Sequence, residues 1–227
     1  MSSLAIHAEA ISKSYHHYQV LRELSFELEA GKCYALFGPN GAGKTTLLKI
    51  LATVHRPSGG RLTIMGRDVA ADRAAVRGQL FLVAHGSYLY DELNAFENLR
   101  FALGLRGLAP SDREIKLALD RVGVGAFADL KSRYFSAGMK KRLAIAKTLL
   151  VRPPLLLLDE AYASLDEKGV ALVNQVIREA TGAGTAVFMT THDRTKVAEV
   201  AHRAGVLRQG VLRELPLTAL TGSHELF

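Results

Sequence analysis

The sequence predicts an α/β protein built on a mostly parallel sheet, and three observations carry that reading. The segments Cys33–Phe37, 80–84, Leu155–Leu158, Ala186–Thr190 and 204–207 are short and almost continuously apolar, the pattern of strands covered on both faces. Between them, apolar residues recur every three or four positions, at Leu47/Leu51/Val54, Met139/Leu143/Ala146/Leu150 and Val173/Val176/Ile177/Ala180. That spacing lines one face of a helix, and strands alternating with helices wind into a parallel sheet. The start of the chain differs. Leu4-Ile6-Ala8 and Leu24-Phe26-Leu28 alternate apolar with polar residues, so an N-terminal antiparallel β subdomain with one wet face is expected. From 94 to 151 the helical spacing is strong and the strand signal weak, which predicts a helical insertion. The expected organisation is one domain: a core in 1–93 and 152–227, interrupted by a helical subdomain in 94–151. The tail 216–227 carries no pattern and reads as a frayed end.

Composition narrows the classes. With 227 residues, 48% of them hydrophobic and 22% charged, the chain has ordinary globular make-up, which excludes collagen-like and disordered readings. No apolar run approaches the roughly 20 residues of a membrane span, and no basic start leads into an apolar leader. One cysteine, Cys33, excludes an internal disulfide and suits a reducing compartment. Lys and Arg number 29 against 22 Asp and Glu, a formal charge of +7, which suits a phosphorylated ligand, nucleic acid or anionic lipid. No stretch interleaves aromatic with basic residues, so nucleic acid is not expected. The run Lys140-Lys141-Arg142 reads as the solvated face of a helix.

Gly38-Pro39-Asn40-Gly41-Ala42-Gly43-Lys44-Thr45 matches G-x-x-x-x-G-K-[ST]. An apolar strand precedes it and an amphipathic helix beginning at Thr46 follows, the context this motif requires. Glycines let backbone N–H groups turn inward around phosphates, and the helix start adds a positive field. Lys44 is expected to bridge the β- and γ-phosphates of a nucleoside triphosphate, and the Thr45 hydroxyl to ligate Mg²⁺. Leu155-Leu156-Leu157-Leu158-Asp159-Glu160 supplies the complementary half. A buried strand ending in a carboxylate places Asp159 at the carboxyl edge of the sheet, where it can hold Mg²⁺. Glu160, one residue on, is the candidate general base for the attacking water.

With these motifs in place, the chain resembles the ATP-binding subunits of ABC transporters over essentially its whole length, a P-loop NTPase fold of the RecA-like kind. Phe135-Ser136-Ala137-Gly138-Met139 stands where that family has its L-S-G-G-Q signature, Ser164-Leu165-Asp166 where it has the D-loop, and Thr191-His192 where it has the switch histidine. Tyr15 is placed like the aromatic residue that stacks on adenine. The resemblance implies Mg-ATP hydrolysis, with Ser136, Ala137, Gly138 and Asp166 facing the nucleotide of the opposite subunit in an ATP-dependent homodimer, and His192 contacting the γ-phosphate. Three departures accompany it. Ala137 and Met139 alter the signature, Ala161 replaces the usual proline after Glu160, and His85 occupies the place of a glutamine that touches Mg²⁺ and senses the transport partner.

His85, with Tyr88-Leu89-Tyr90-Asp91-Glu92-Leu93 and Phe96-Glu97-Asn98-Leu99 after it, is similar to the ATP-binding subunits of cytochrome c maturation, also described as haem exporter ATPases. That resemblance implies membrane-spanning partners of the CcmB/CcmC kind and a peripheral position on the cytoplasmic side of the membrane. The alternatives are the ATPase of another exporter of drugs, lipids or ions, and a soluble non-transport ABC ATPase.

Overall fold

In the computed structural model, which describes residues 3–84 and 88–220, the chain opens with a long antiparallel hairpin, β1 (Leu4–Tyr15) and β2 (Tyr18–Glu29). There follow β3 (Cys33–Phe37), α1 (Lys44–Leu51), β4 (Gly59–Ile64), β5 (Arg67–Asp68), α2 (Arg73–Gly78) and β6 (Leu80–Val83). A helical stretch of α3 (Ala95–Gly104), α4 (Asp112–Arg121) and α5 (Ala137–Val151) leads into β7 (Leu155–Leu158), α6 (Glu167–Gly182) and β8 (Ala186–Thr190). The short α7 (Arg194–Val197), β9 (Arg203–Arg208) and β10 (Val211–Leu215) follow.

The strands form two sheets, ordered β2-β1-β4-β5 and β10-β9-β3-β8-β7-β6. In the second, β9, β3, β8 and β7 pair in parallel, and β10 closes the edge antiparallel to β9. Every residue of β3, β7 and β8 is buried, as their continuous apolar sequences require. In β1, burial alternates from Ile6 to Glu9 and then loses its rhythm, because the ladder with β2 shifts register between Ala8 and Ile11 and again beyond.

The chain divides into two compact units. The first comprises residues within 1–82, 153–161 and 177–227 and carries both sheets. Its core is aromatic at the centre. Tyr34 of β3 stacks on Phe188 of β8 at 5.3 Å, and Phe26 of β2 packs against both at 5.5 and 5.4 Å. Such pairs add roughly 0.5–1.5 kcal/mol to the burial of their area, and here they fasten the β1–β2 hairpin onto the parallel sheet.

The second unit comprises residues within 83–152 and 162–176; it includes the 94–151 stretch and extends beyond it at both ends. Its helices start on side-chain caps. Asn94 with Glu97, and Ser111 with Glu114, form capping boxes for α3 and α4, and Ser136 caps α5 by accepting from Met139 N. Asn98, 1% exposed, ties the 90–94 loop together. Its Oδ1 accepts from Tyr90 N at 2.8 Å, and the two hydrogens of its Nδ2 are shared among the carbonyls of Tyr90, Leu93 and Asn94 and Ser132 Oγ, at 2.9–3.1 Å.

The basic run at the start of α5 is not a solvated face. Lys141 is buried, Lys140 pairs with Asp91 at 3.1 Å, and Arg142 reaches Asp166 at 2.7 Å. The reason is that α5 buries residues on nearly every side, including the continuous stretch 143–148, so its cations have little surface to reach.

Lys147, 8% exposed, donates to Tyr88 O at 3.3 Å. Burial pulls its amine down to about 8. The unfolded chain, with an ordinary lysine, binds more protons than the native state between about pH 8 and 10.5, so this residue's destabilisation is fully present below pH 8 and relieved as pH rises through that window. Lys147→Met is therefore expected to raise the melting temperature at pH 7, with the gain over wild type shrinking toward pH 10. Thermal denaturation at both pH values checks it, and a gain that does not shrink with pH contradicts it.

Candidate active site

Strand order explains why residues distant in sequence meet. Because β8 lies between β3 and β7, the three carboxyl ends lie side by side. The register Leu36↔Thr190 and Leu158↔Met189 brings the loop after β3, the pair Asp159–Glu160 and the segment after Thr190 to one edge, where open α/β sheets bind ligands.

The loop from Gly38 to Gly43 turns sharply, with Ala42 N donating to Pro39 O at 3.2 Å. Gly38 has φ +153, and a Cβ there would run into Leu207 O, so only glycine lets β9 approach this closely. Gly43 stands at the N-cap of α1 and supplies no side-chain bond, and no acidic residue occupies the first turn. The first-turn amides of Lys44, Thr45 and Thr46 are thus left for an anion. Pro39, Asn40 and Gly41 are exposed at the rim of the loop and Ala42 is buried beneath it.

Lys44 is 7% exposed, and its ammonium donates to Gly38 O at 2.7 Å and Pro39 O at 3.2 Å. Burial pulls its pKa down, while the carboxylates of Glu160 and Asp159 oppose that shift. Glu160 Oε1 lies 3.9 Å from Lys44 Nζ and 3.0 Å from His192 Nε2, and that nitrogen lies 3.4 Å from Lys44 Nζ. Glu160 has φ +47, a conformation a non-glycine residue adopts at a cost of roughly 1–2 kcal/mol. The backbone there is held by Thr190, whose Oγ1 accepts from Glu160 N at 2.9 Å and donates to Asp159 Oδ1 at 2.7 Å. Ala161 N donates to Thr190 O at 3.2 Å, a bond that a proline at this position has no N–H to make.

Thr45 Oγ1 and Asp159 Oδ2 are 3.4 Å apart. Two hard oxygen donors beside an anion-binding loop suit Mg²⁺, which takes one or two protein oxygens and fills its shell with water and phosphate. Among the described residues no cluster of three or more His, Cys, Asp or Glu offers an all-protein metal cage. The arrangement can therefore hold a triphosphate with its metal and present a carboxylate to water.

The family model described as ABC transporter matches residues 21–163. The chain belongs to the ABC transporter family. Among curated relatives, it is 38% identical to the cytochrome c biogenesis ATP-binding export protein CcmA of Methylococcus capsulatus, over 74% of this chain and 82% of that one. It is 34% identical to the lipoprotein-releasing system ATP-binding protein LolD of a Shewanella species, over 94% and 97%. Among solved structures, an ATP binding subunit of an ABC transporter superposes with a TM-score of 0.86 at 26% identity, covering 95% of this chain and 91% of that one. This ABC protein is an ATP-binding, ATP-hydrolysing transporter subunit, and no helix among its described residues is long and apolar enough to cross a membrane.

Of the remaining motif positions, 136–138 and 164–166 lie in the second unit and Tyr15 in the first. Ser136 and Ala137 are exposed at the start of α5, and a Cβ on Gly138 would stand 2.9 Å from Ser164 O, so the segments around 138 and 164 pack without room for a side chain at 138. Asp166 Oδ1 accepts from Arg142 at 2.7 Å and from Gly169 N at 2.9 Å. Tyr15 ends β1 with its ring 41% exposed. His85 lies outside the described residues. The structure also supplies a residue the motif reading passed over: Thr190, which donates to the Asp159 carboxylate and accepts from the Glu160 backbone N–H, and reads in sequence as the last residue of an apolar strand.

Proposed function

We propose that this ABC ATPase powers the haem-export machinery of cytochrome c maturation, as a peripheral ATP-dependent homodimer bound to CcmB/CcmC-like membrane subunits on the cytoplasmic side. The observation that carries the hydrolytic part is the convergence of Lys44, Glu160 and His192 within 4 Å at the end of the parallel strands. The finer assignment is supported by similarity to CcmA proteins of Methylococcus capsulatus and Pseudomonas putida at 37–38% identity, and by the His85 and 88–99 sequence.

In this reading the inward amides of the loop from Gly38 to Gly43 and the Lys44 ammonium grip the β- and γ-phosphates of ATP. Thr45 and Asp159 would hold Mg²⁺, which when bound neutralises charge on the phosphates. Glu160 accepts a hydrogen bond from the attacking water, aligns it with the γ-phosphorus and takes its proton as the new oxygen–phosphorus bond forms and the bond to the β–γ bridging oxygen breaks, with ADP as the leaving group. His192 Nε2, in contact with Glu160 and Lys44, fixes the carboxylate and reaches the transferring phosphoryl group. Positioning and charge stabilisation supply most of the acceleration in such reactions. Tyr15 stacks on adenine, and Ser136, Ala137, Gly138 and Asp166 of one protomer complete the site of the other. His85 meets the membrane partner.

Deleting the gene in its host tests the assignment. The expected result is loss of covalently bound haem from c-type cytochromes, restored by the wild-type chain and not by Glu160→Gln. Normal c-type cytochromes with failure of lipoprotein or drug export would assign the subunit to another exporter.

A further inference from the structure

The tyrosine at the end of β1 is braced on two sides. Lys13 precedes Tyr15 by two residues, where the β1–β2 ladder shifts register. Lys13 Nζ lies over the Tyr15 ring, 5.0 Å from its centroid, and is itself held by donating to Arg56 O at 2.7 Å. His55 meets the same ring edge-on, with centroids 6.2 Å apart and planes at 82°. The loop that supplies both supports is anchored in turn. Ser58 N donates to Ser12 O at 2.8 Å, Ser14 N to Ser58 Oγ at 3.0 Å, and His55 N to Lys49 O at 3.1 Å. Lys49 belongs to α1, the helix that begins at Lys44. The Tyr15 ring is thus tied, through 55–58, to the element that carries the phosphate loop. Burial and the charges of Lys49, Lys13 and Arg73 hold His55 below the usual imidazole range.

We propose that Lys13 is a positioning residue for base recognition, its ammonium capping one face of Tyr15 and leaving the opposite face as the platform for adenine. A half-exposed tyrosine at a strand end otherwise has several rotamers to lose when a base stacks on it. A cation on one face also draws π density toward itself, and the far face, less negative, suits an electron-rich purine. The brace fixes the distance between platform and phosphate loop, so that one ligand must satisfy both. This inference rests on the reading of Tyr15 as the adenine-stacking residue.

The test compares a non-hydrolysable ATP analogue with inorganic tripolyphosphate, which lacks the base, by titration calorimetry on the full chain with Mg²⁺. Lys13→Met is expected to weaken the analogue about two- to five-fold, the worth of an exposed cation–π contact, and to leave tripolyphosphate unchanged; Lys13→Arg keeps the wild-type value. Tyr15→Ala is expected to weaken the analogue more, by about five-fold or beyond. If Tyr15→Ala lowers the analogue's affinity relative to tripolyphosphate while Lys13→Met does not, the brace is wrong and the stacking reading stands. If Tyr15→Ala leaves that ratio unchanged, both fall. Equal loss of both ligands in Lys13→Met, or a loss in Lys13→Arg as large as in Lys13→Met, overturns the proposal.

Discussion

Glu160→Gln is expected to lower the ATPase turnover by about 10²–10⁴-fold, the usual contribution of a general base, while nucleotide still binds. The substitution is nearly isosteric, so the amide oxygen can remain beside His192 Nε2, where the carboxylate stands at 3.0 Å. The Thr190 hydroxyl still receives Glu160's backbone N–H, so the strained turn at 160 survives. What disappears is the proton acceptor and one negative charge 3.9 Å from Lys44. Removing that charge leaves the ammonium with less competition for phosphate, so affinity for ATP is expected to hold or rise. Steady-state turnover together with equilibrium binding checks this. A variant that hydrolyses ATP at the wild-type rate removes Glu160 from the mechanism.

Lys44→Ala is expected to act on binding instead. The ammonium is buried at 7% exposure and satisfied by two carbonyls of its own loop, Gly38 O and Pro39 O, so it is already aimed into the curl where phosphates sit. Each charge-assisted hydrogen bond it makes to a phosphate is worth about 1.5–3 kcal/mol. Two such bonds correspond to a loss of about 10²–10⁴-fold in ATP affinity. Because the lysine's pKa is lowered mainly by burial, its removal relieves a desolvation cost, and the folded state is not expected to collapse. Loss of ATP binding with a retained melting temperature is the expected pair of results, and unchanged ATP affinity contradicts it.

The parts of this fold legible in sequence are those whose environment forces a uniform pattern. β3, β7 and β8 are covered on both faces, so their residues are apolar throughout and stand out. β4, β5 and β10 do not, because each is partly exposed and carries arginine or glycine where a core strand carries a branched side chain. α2 has one buried residue, Val76, in six positions, too few to make a period. The hairpin strands extend beyond their alternating stretches, on to Tyr15 in β1 and back to Tyr18 in β2, because register shifts break the alternation there.

The site divides the same way. The phosphate loop and the acidic pair are contiguous motifs, so their residues could be named in advance. Thr190 could not, because its role follows from a strand register, Leu158 beside Met189, which no local pattern records. Lys13 and His55 are similar, brought to Tyr15 by a loop that returns 43 residues later to give Lys13 its carbonyl partner. Lys140 to Arg142 failed in the opposite direction, since a run of cations says nothing of whether the helix carrying it is surrounded.

The most direct measurement is titration of Mg-ATP into the purified full-length chain, side by side with Lys44→Ala, followed by calorimetry. Saturable heat for the wild-type protein that vanishes for the variant is the predicted result. Absence of binding to the folded wild-type chain, or equal binding by both proteins, would contradict the grip of this loop on a triphosphate.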